Sequence, residues 1–182
     1  MIKNKIIPNL IKEEAITALS HYPELKETYI EFKFKESLGK SMMKAQPKFF
    51  TLFRNRKNRK YIILMSRNFT LDGTSLDFNT IPKNVLIGWL GHELGHIMDY
   101  RERSSLDLTL FGIRYYFSGK HIREAERTAD TFAVTHKMRP YILETKKYIL
   151  EHVDLSDKYK DRIKKLYLSP DEILSIAVEN TP

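Results

Sequence analysis

The sequence contains no cysteine, and this absence removes several kinds of site at once. A chain without cysteine has no disulfide framework, no thiolate metal site and no cysteine nucleophile. Any metal ion that it binds must therefore be held by histidine, carboxylate or water.

Long apolar runs are also absent. No stretch approaches the roughly 18 residues that a membrane-spanning helix requires. The N-terminus has no sustained apolar run before Glu13 and Glu14, which excludes the pattern of a signal peptide. We therefore expect a cytoplasmic protein without a membrane partner.

The composition predicts one domain that spans residues 1–182. The chain is 42% hydrophobic and 30% charged, which suits a globular protein with a real core. Its formal net charge of +8 favours acidic partners, and nucleic acid is one candidate. A general bias toward lysine would produce the same charge without such a partner.

A basic cluster follows the predicted second strand of the sheet. It could contact phosphates, but no aromatic residue interleaves with its charges, and this favours a solvated hairpin tip instead. Its members are Arg54, Arg56, Lys57, Arg59 and Lys60.

The central stretch reads His-Glu-x-x-His, from His92 to His96. Apolar residues recur at three- and four-residue steps from Pro82 to Tyr100, which predicts a helix. On a helix the two histidines lie one turn apart on one face, so both imidazoles can bind one zinc ion beside Glu93.

Three glycines, Gly88, Gly91 and Gly95, interrupt this helix. Each is less favourable than alanine in a helix interior by about 1 kcal/mol. Their presence predicts close packing, or space for a metal ion and substrate.

A second predicted helix, from Lys120 to Met138, carries two carboxylates at positions i and i+4, Glu126 and Asp130. One can complete a zinc site with two histidines, while the other accepts a hydrogen bond from a histidine N–H. The alternative is a solvated pair matched with neighbouring arginines such as Arg127.

Glu126-x-x-Ala129-Asp130, placed after a His-Glu-x-x-His helix, resembles the gluzincin metallopeptidases. The local form is similar to their compact members, the minigluzincins and the ImmA/IrrE-type peptidases. The resemblance covers about residues 28–138 and rests on these two short motifs.

This resemblance implies a zincin-like fold, one zinc ion per chain, and a sheet whose edge strand holds an extended peptide. It implies three zinc ligands, His92, His96 and Glu126. It also implies that Glu93 is the general base and that Asp130 orients a ligand histidine.

A further donor is expected for the negative charge that develops on the substrate oxygen. Tyr115, Tyr116 and His121 precede the third-ligand helix at suitable positions. The alternative for the tyrosines is packing in the core or in the cleft wall.

The predicted fold class is α+β. A small, mostly antiparallel sheet of about three strands packs on the active-site helix and the third-ligand helix, and further helices follow. The predicted strands are Tyr29–Lys35, Lys48–Arg54 and Lys60–Ser66, and the predicted C-terminal helices are Tyr141–His152, Ser156–Leu168 and one that begins at the capping box Ser169–Glu172. The apolar segment Leu106–Phe117 is consistent with either helix or strand.

These patterns together predict a zinc metallopeptidase that hydrolyses a peptide or protein substrate with water activated by Glu93. Two alternatives remain. One is a regulatory or binding module on the same scaffold, with nucleic acid or an acidic protein as partner. The other is a structural zinc domain, although such domains usually have four protein ligands.

Overall fold

The computed structural model describes residues 3–39, 41–71, 74–151 and 155–179, and it has an α+β architecture. The strands are β1 (Lys5–Ile6), β2 (Tyr29–Lys35), β3 (Met43–Pro47), β4 (Lys60–Ser66), β5 (Asn68–Leu71) and β6 (Thr74–Asp77). The helices are α1 (Lys12–Ser20), α2 (Lys83–Glu102), α3 (Ser105–Phe117), α4 (Gly119–Ala133), α5 (Arg139–Glu151), α6 (Asp157–Leu166) and α7 (Pro170–Glu179).

The main sheet is mixed, with the strand order β1-β2-β4-β3, and β5 pairs separately with β6. Strand β2 runs parallel to both β1 and β4, and within the described part of this main sheet only the β3–β4 pair is antiparallel, as is the separate β5–β6 pair. The prediction of a mostly antiparallel sheet of about three strands is therefore wrong. Two parallel strands need a crossover connection, and strand-length patterns in the sequence do not reveal one.

The second predicted strand is also wrong. Segment 48–54 contains a short 3₁₀ turn, and the strand lies earlier, in residues 43–47. Met43 and Ala45 are buried there while Lys44 and Gln46 are exposed, as period-two alternation requires. The phenylalanines of segment 48–54, which suggested a strand, are exposed instead.

Strands β2 and β4 form as predicted and present apolar side chains to the core. Ile30 and Phe32 on β2, and Ile63 and Met65 on β4, are at most 2% exposed. Strand β4 lies inside the sheet, between β2 and β3, as predicted, and its second apolar face, with Ile62 and Leu64, is half-buried.

Helix α2 passes through the centre of the molecule and contacts α1, α4, α5 and β3. It begins directly after Pro82, in agreement with the prediction. The segment that the sequence left undecided is helix α3, where Ser104 Oγ accepts a hydrogen bond from the Asp107 N–H at 3.1 Å. In the part of the chain that is described, no helix has both the length and the apolar character to cross a membrane.

Helix α4 is shorter than predicted. It ends at Ala133, and a wide turn in which Lys137 has a φ of 63° leads to α5. Pro140 lies in the first turn of α5, where proline is tolerated because that N–H has no helical partner. The predicted end of α5 at His152 lies outside the described residues.

The predicted capping box at the start of α7 is confirmed. Ser169 Oγ accepts from the Glu172 N–H at 3.2 Å, and a Glu172 carboxylate oxygen accepts from the Ser169 N–H at 2.8 Å.

Candidate metal centre

Three buried side chains from two helices meet at one point. His92 and His96 lie on adjacent turns of α2, and Glu126 approaches from α4. Glu126 Oε2 is 3.0 Å from His92 Nε2 and 3.4 Å from His96 Nε2. The three residues are at most 7% exposed, and their ligand atoms all lie within 4.8 Å of one another. This group could hold a metal ion.

The distances from the Glu126 oxygen to the two imidazole nitrogens are compatible with a bound metal ion. Ligand atoms about 2.0–2.1 Å from a tetrahedral centre lie about 3.3 Å from each other. The two distances from Glu126 Oε2, 3.0 and 3.4 Å, are close to this value. The predicted convergence of His92, His96 and Glu126 is therefore confirmed.

Glycine lets the neighbouring helices approach α2 closely enough to build this site. A Cβ atom at Gly95 would lie less than 3.0 Å from the backbone oxygen of Ala129 on α4. A Cβ atom at Gly88 would lie 2.5 Å from the backbone oxygen of Tyr141 on α5. The predicted close packing is confirmed, and the approach at Ala129 is less than one turn from Glu126.

Asp130 connects the site to the surrounding core. Its Oδ1 is 2.8 Å from His92 Nδ1, so a proton on Nδ1 leaves Nε2 free to bind a metal. Its Oδ2 accepts from Lys146 Nζ at 2.8 Å and from the Leu168 N–H at 3.0 Å. Asp130 is completely buried, and it orients His92 as the resemblance implied.

The alternative of a solvated carboxylate pair is wrong. Glu126 and Asp130 are 4% and 0% exposed, respectively. Arg127 forms its ion pair with Glu172 of α7, at 2.5 Å, and not with either of them.

The cluster attracts positive charge. Burial alone would lower the pKa of His92, but hydrogen bonds to Asp130 and Glu126 outweigh it and raise that pKa to about 10. Burial would raise the pKa of Glu126, but the nearby His96 and His92 hold it well below its usual value. Burial would also raise the pKa of Asp130, but Lys146 and His92 together outweigh it and lower that pKa. The two carboxylates thus stabilise a positive charge on His92, and a metal ion bound at Nε2 would replace the proton that this nitrogen shares with Glu126 Oε2.

Glu93 faces strand β3 at the edge of the sheet. Its Oε2 accepts a hydrogen bond from the Ala45 N–H at 2.6 Å, and burial raises the pKa of its carboxyl. The backbone N–H and C=O groups of Lys44 and Gln46 point toward β4. Those of Ala45 therefore point the opposite way, toward the free edge of the sheet. A buried carboxylate with a raised pKa is suited to accept a proton near neutral pH.

Of the three predicted oxyanion donors, only Tyr115 contacts the metal-binding group. Its hydroxyl donates to Glu126 Oε1 at 2.7 Å. Tyr116 is 81% exposed, and its ring packs against Phe117. His121 makes no described contact with the triad, and its buried Nδ1 has no hydrogen-bond partner among the described residues.

No family model, curated protein or solved structure matches the chain. Its function must therefore be inferred from its own residues.

Two residues of the site were missed from the sequence. Lys146 is 5% exposed, and its ammonium lies 4.1 Å from the ring centroid of Tyr167. Tyr100 stacks on His96 with ring centroids 5.9 Å apart. The sequence contains an indication of each. Lys146 falls on the buried stripe of α5, and Tyr100 lies four residues after His96, on the same face of α2.

A cavity of about 880 Å³ opens over the triad. Strand β3 lines one wall, α3 lines another, and Ile163 of α6 contributes to the lining. Ligand pockets in proteins are typically about 300–1,000 Å³, so this space is large enough for several residues of a peptide.

Proposed function

We propose that this chain is a zinc-dependent metallopeptidase of the gluzincin type. One observation carries the proposal: Glu126 Oε2 lies within 3.4 Å of two imidazole nitrogens, and Glu93 stands beside them in a large cavity. Three protein ligands are typical of a catalytic zinc site, because the fourth position is left for water or substrate. A structural zinc domain does not account for the cavity.

The residues around the triad have separate roles in this proposal. Zinc bound there would lower the pKa of water toward about 7 and polarise a carbonyl group. Asp130 holds His92 in the tautomer that presents Nε2, and Tyr115 holds Glu126 through Oε1. Both contacts reduce the freedom of the ligands before any ion binds.

Glu93 is the proposed general base. It accepts a proton from the water that attacks the scissile carbonyl carbon, and it returns that proton to the leaving amine nitrogen as the C–N bond breaks. Its hydrogen bond to the Ala45 N–H orients the carboxylate, and burial raises its pKa. The products are a new carboxyl terminus and a new amino terminus.

Strand β3 is the proposed support for the substrate. It is an edge strand of the main sheet and lines the cavity over the triad. An extended peptide can add to such an edge through main-chain hydrogen bonds. Met43, Ala45 and Pro47 direct their backbone groups toward that edge. The Ala45 N–H already donates to Glu93 and its oxygen accepts from Tyr100, and proline has no N–H, so the bonds to a peptide would come from Met43 and from the Pro47 oxygen.

The test compares two variants with one control. The native chain, purified without chelator, should contain one zinc ion by mass spectrometry and should cleave members of a peptide library. Glu126→Gln should lose the metal, whereas Glu124→Gln, an exposed glutamate on the same helix, should keep it. Glu93→Gln should keep the metal and lose roughly 10²–10⁴-fold in turnover.

Two results would refute the proposal. The first is a native chain that takes up no metal when zinc is supplied. The second is a Glu93→Gln variant that cleaves peptides as fast as the native chain, because an amide cannot accept the proton.

The second candidate is a binding or regulatory module that uses the same scaffold and cleaves slowly or not at all. Its support is the set of exposed basic side chains Arg54, Arg56 and Lys57, which could contact nucleic acid or an acidic protein. Full metal occupancy without cleavage of any library peptide, together with salt-dependent binding of DNA, would favour it.

A further inference from the structure

Residues 48–60 form an aromatic–basic turn beside the cavity. The turn contains six basic residues and no acidic one. Phe49, Phe50 and Phe53 are 71%, 92% and 73% exposed. No aromatic residue interleaves with the basic cluster Arg54–Lys60, but these phenylalanines directly precede it. Exposed large apolar side chains that lie close together indicate an interaction site.

Helix α3 is apolar on two faces, and only one of them is buried. The inner face includes Leu108, which is 5% exposed. The outer face carries Leu106, Leu110, Ile113 and Phe117 at steps of four, three and four residues. These four side chains are between 41% and 81% exposed, so no described part of the chain covers this stripe.

The turn and α3 are joined by a buried arginine. Arg59, only 2% exposed, donates from Nη1 to the backbone oxygens of Tyr100 and Arg103, at 2.9 and 3.1 Å. Its Nη2 lies 3.3 Å from Ser105 Oγ at the start of α3. Arg59 therefore is not part of a solvated hairpin tip, as the sequence suggested, but fixes the turn against the helix.

The same cavity connects the two apolar segments. Phe49 of the turn and Phe117 of α3 both line it, and both are highly exposed. The turn and the outer stripe of α3 thus border one opening, and together we call them the aromatic–basic surface.

We propose that the aromatic–basic surface docks on an anionic phospholipid bilayer. The exposed phenylalanines and the outer stripe of α3 would enter the boundary between headgroups and acyl chains. Arg54, Arg56 and Lys57, all exposed, would contact the lipid phosphates. The absence of long apolar runs excludes a membrane span, but surface attachment requires only a short apolar patch with basic neighbours.

Charge complementarity favours this partner over others. A second copy of the chain would bring two basic turns together, and like charges oppose such a contact. Nucleic acid would satisfy the basic side chains but would leave the leucine and isoleucine stripe of α3 in water. Phe50, at 92% exposed, projects from the surface, which suits insertion into a fluid apolar layer.

This inference does not depend on the proposed peptidase activity, because it uses neither the triad nor a metal. If both hold, the cavity opens toward the bilayer. The substrates would then be protein segments that lie close to the membrane surface.

The test is co-sedimentation of the full chain with vesicles. The chain should bind vesicles of phosphatidylcholine mixed with phosphatidylglycerol, bind vesicles of phosphatidylcholine alone much more weakly, and dissociate as salt is raised. Phe50→Ser combined with Phe53→Ser should lower the affinity at least about tenfold, because two inserted rings are lost. Both positions are highly exposed, so the fold and the metal content should not change.

The charge requirement has a matched control. Arg56→Glu combined with Lys57→Glu should lower the affinity by about fivefold for each positive charge lost. Lys158→Glu combined with Lys165→Glu changes the net charge equally, but these exposed residues lie on α6. This control should bind the mixed vesicles nearly as well as the native chain.

Several outcomes would overturn the proposal. They are no binding to the mixed vesicles, an equal loss in both charge variants, or no effect of the phenylalanine substitutions. Retention of duplex DNA without vesicle binding would assign the basic residues to nucleic acid. Dimer formation that is lost in the phenylalanine variant, again without vesicle binding, would assign the apolar residues to a second copy.

Discussion

Replacing Gly95 by alanine should separate the two helices that build the metal centre. The new Cβ would lie less than 3.0 Å from the Ala129 oxygen, and ordinary contact begins at 3.4 Å. The obstructing atoms belong to the backbone of α4, so no side chain can rotate to relieve the overlap. At that contact α4 must move by at least 0.4 Å, the difference between the two distances, and it carries Glu126 with it.

The size of the effect follows from two opposing contributions. Overpacking of this kind typically costs about 1–3 kcal/mol. Replacing glycine by alanine inside a helix stabilises the folded chain by about 1 kcal/mol. Gly112→Ala is the matched control, because it lies in helix α3 with no atom within 4 Å of the new Cβ. Both variants gain the same helix preference, so their difference in unfolding free energy reports the strain alone, about 1–3 kcal/mol.

Gly91→Ala should fall between these two. Its Cβ would overlap the sulfur and the terminal methyl of Met138, and both belong to a flexible side chain that can move. We therefore expect the stability order Gly112→Ala, then Gly91→Ala, then Gly95→Ala.

Urea unfolding and zinc affinity would measure the two consequences separately. The unfolding midpoints should follow the stated order, and Gly95→Ala should also bind zinc more weakly, because Glu126 is displaced from the histidines. If Gly95→Ala is as stable as Gly112→Ala and binds zinc equally well, the close approach of α4 to α2 is not what positions the third ligand.

Two further predictions concern ion pairs outside the ligand set. Lys146→Met should destabilise the chain by about 3–5 kcal/mol in urea unfolding, because Asp130 would keep a buried charge without its cation, whereas Lys147→Met at an exposed position should change stability by less than about 0.5 kcal/mol. The hydrogen bond from Arg127 lowers the pKa of Glu172 to about 2, below its ordinary value of 4.5. The ion pair therefore contributes fully above pH 4.5 and is lost as pH falls toward 2. In acid titrations followed by circular dichroism, the Glu172→Gln variant should therefore lose less stability over this pH interval than the native chain does. Equal slopes of stability against pH in the two proteins would contradict this assignment.

The local features of the fold could be predicted because their causes are local. The start of α2 after Pro82 and the capping box between Ser169 and Glu172 depend on residues within one helical turn. The two histidines share a face through helical spacing alone. These predictions required no knowledge of how the elements pack.

The sheet could not be predicted in the same way. The parallel pairing of β2 with β4 depends on the path of the chain between them, and a strand pattern does not record that path. The misplaced strand has a different cause. Phe49, Phe50 and Phe53 read as core residues in a sequence, yet all three are more than 70% exposed. A sequence pattern does not distinguish an exposed apolar cluster from a buried one.

In the metal centre, the candidate ligands could be predicted from the sequence, but the residues that hold them in place could not. His92, His96 and Glu126 follow from two motifs, whereas Lys146 reaches Asp130 only because Gly88 lets α5 pack against α2. A lysine on a buried stripe requires a buried anion, since an unpaired ammonium there would be strongly disfavoured. Conversely, a buried aspartate beside a ligand histidine requires a cation or hydrogen-bond donors on its other oxygen. A buried lysine therefore predicts a carboxylate partner, and a buried aspartate predicts a cation or a hydrogen-bond donor. This requirement can be inferred from the sequence, whereas the distance between the two residues cannot.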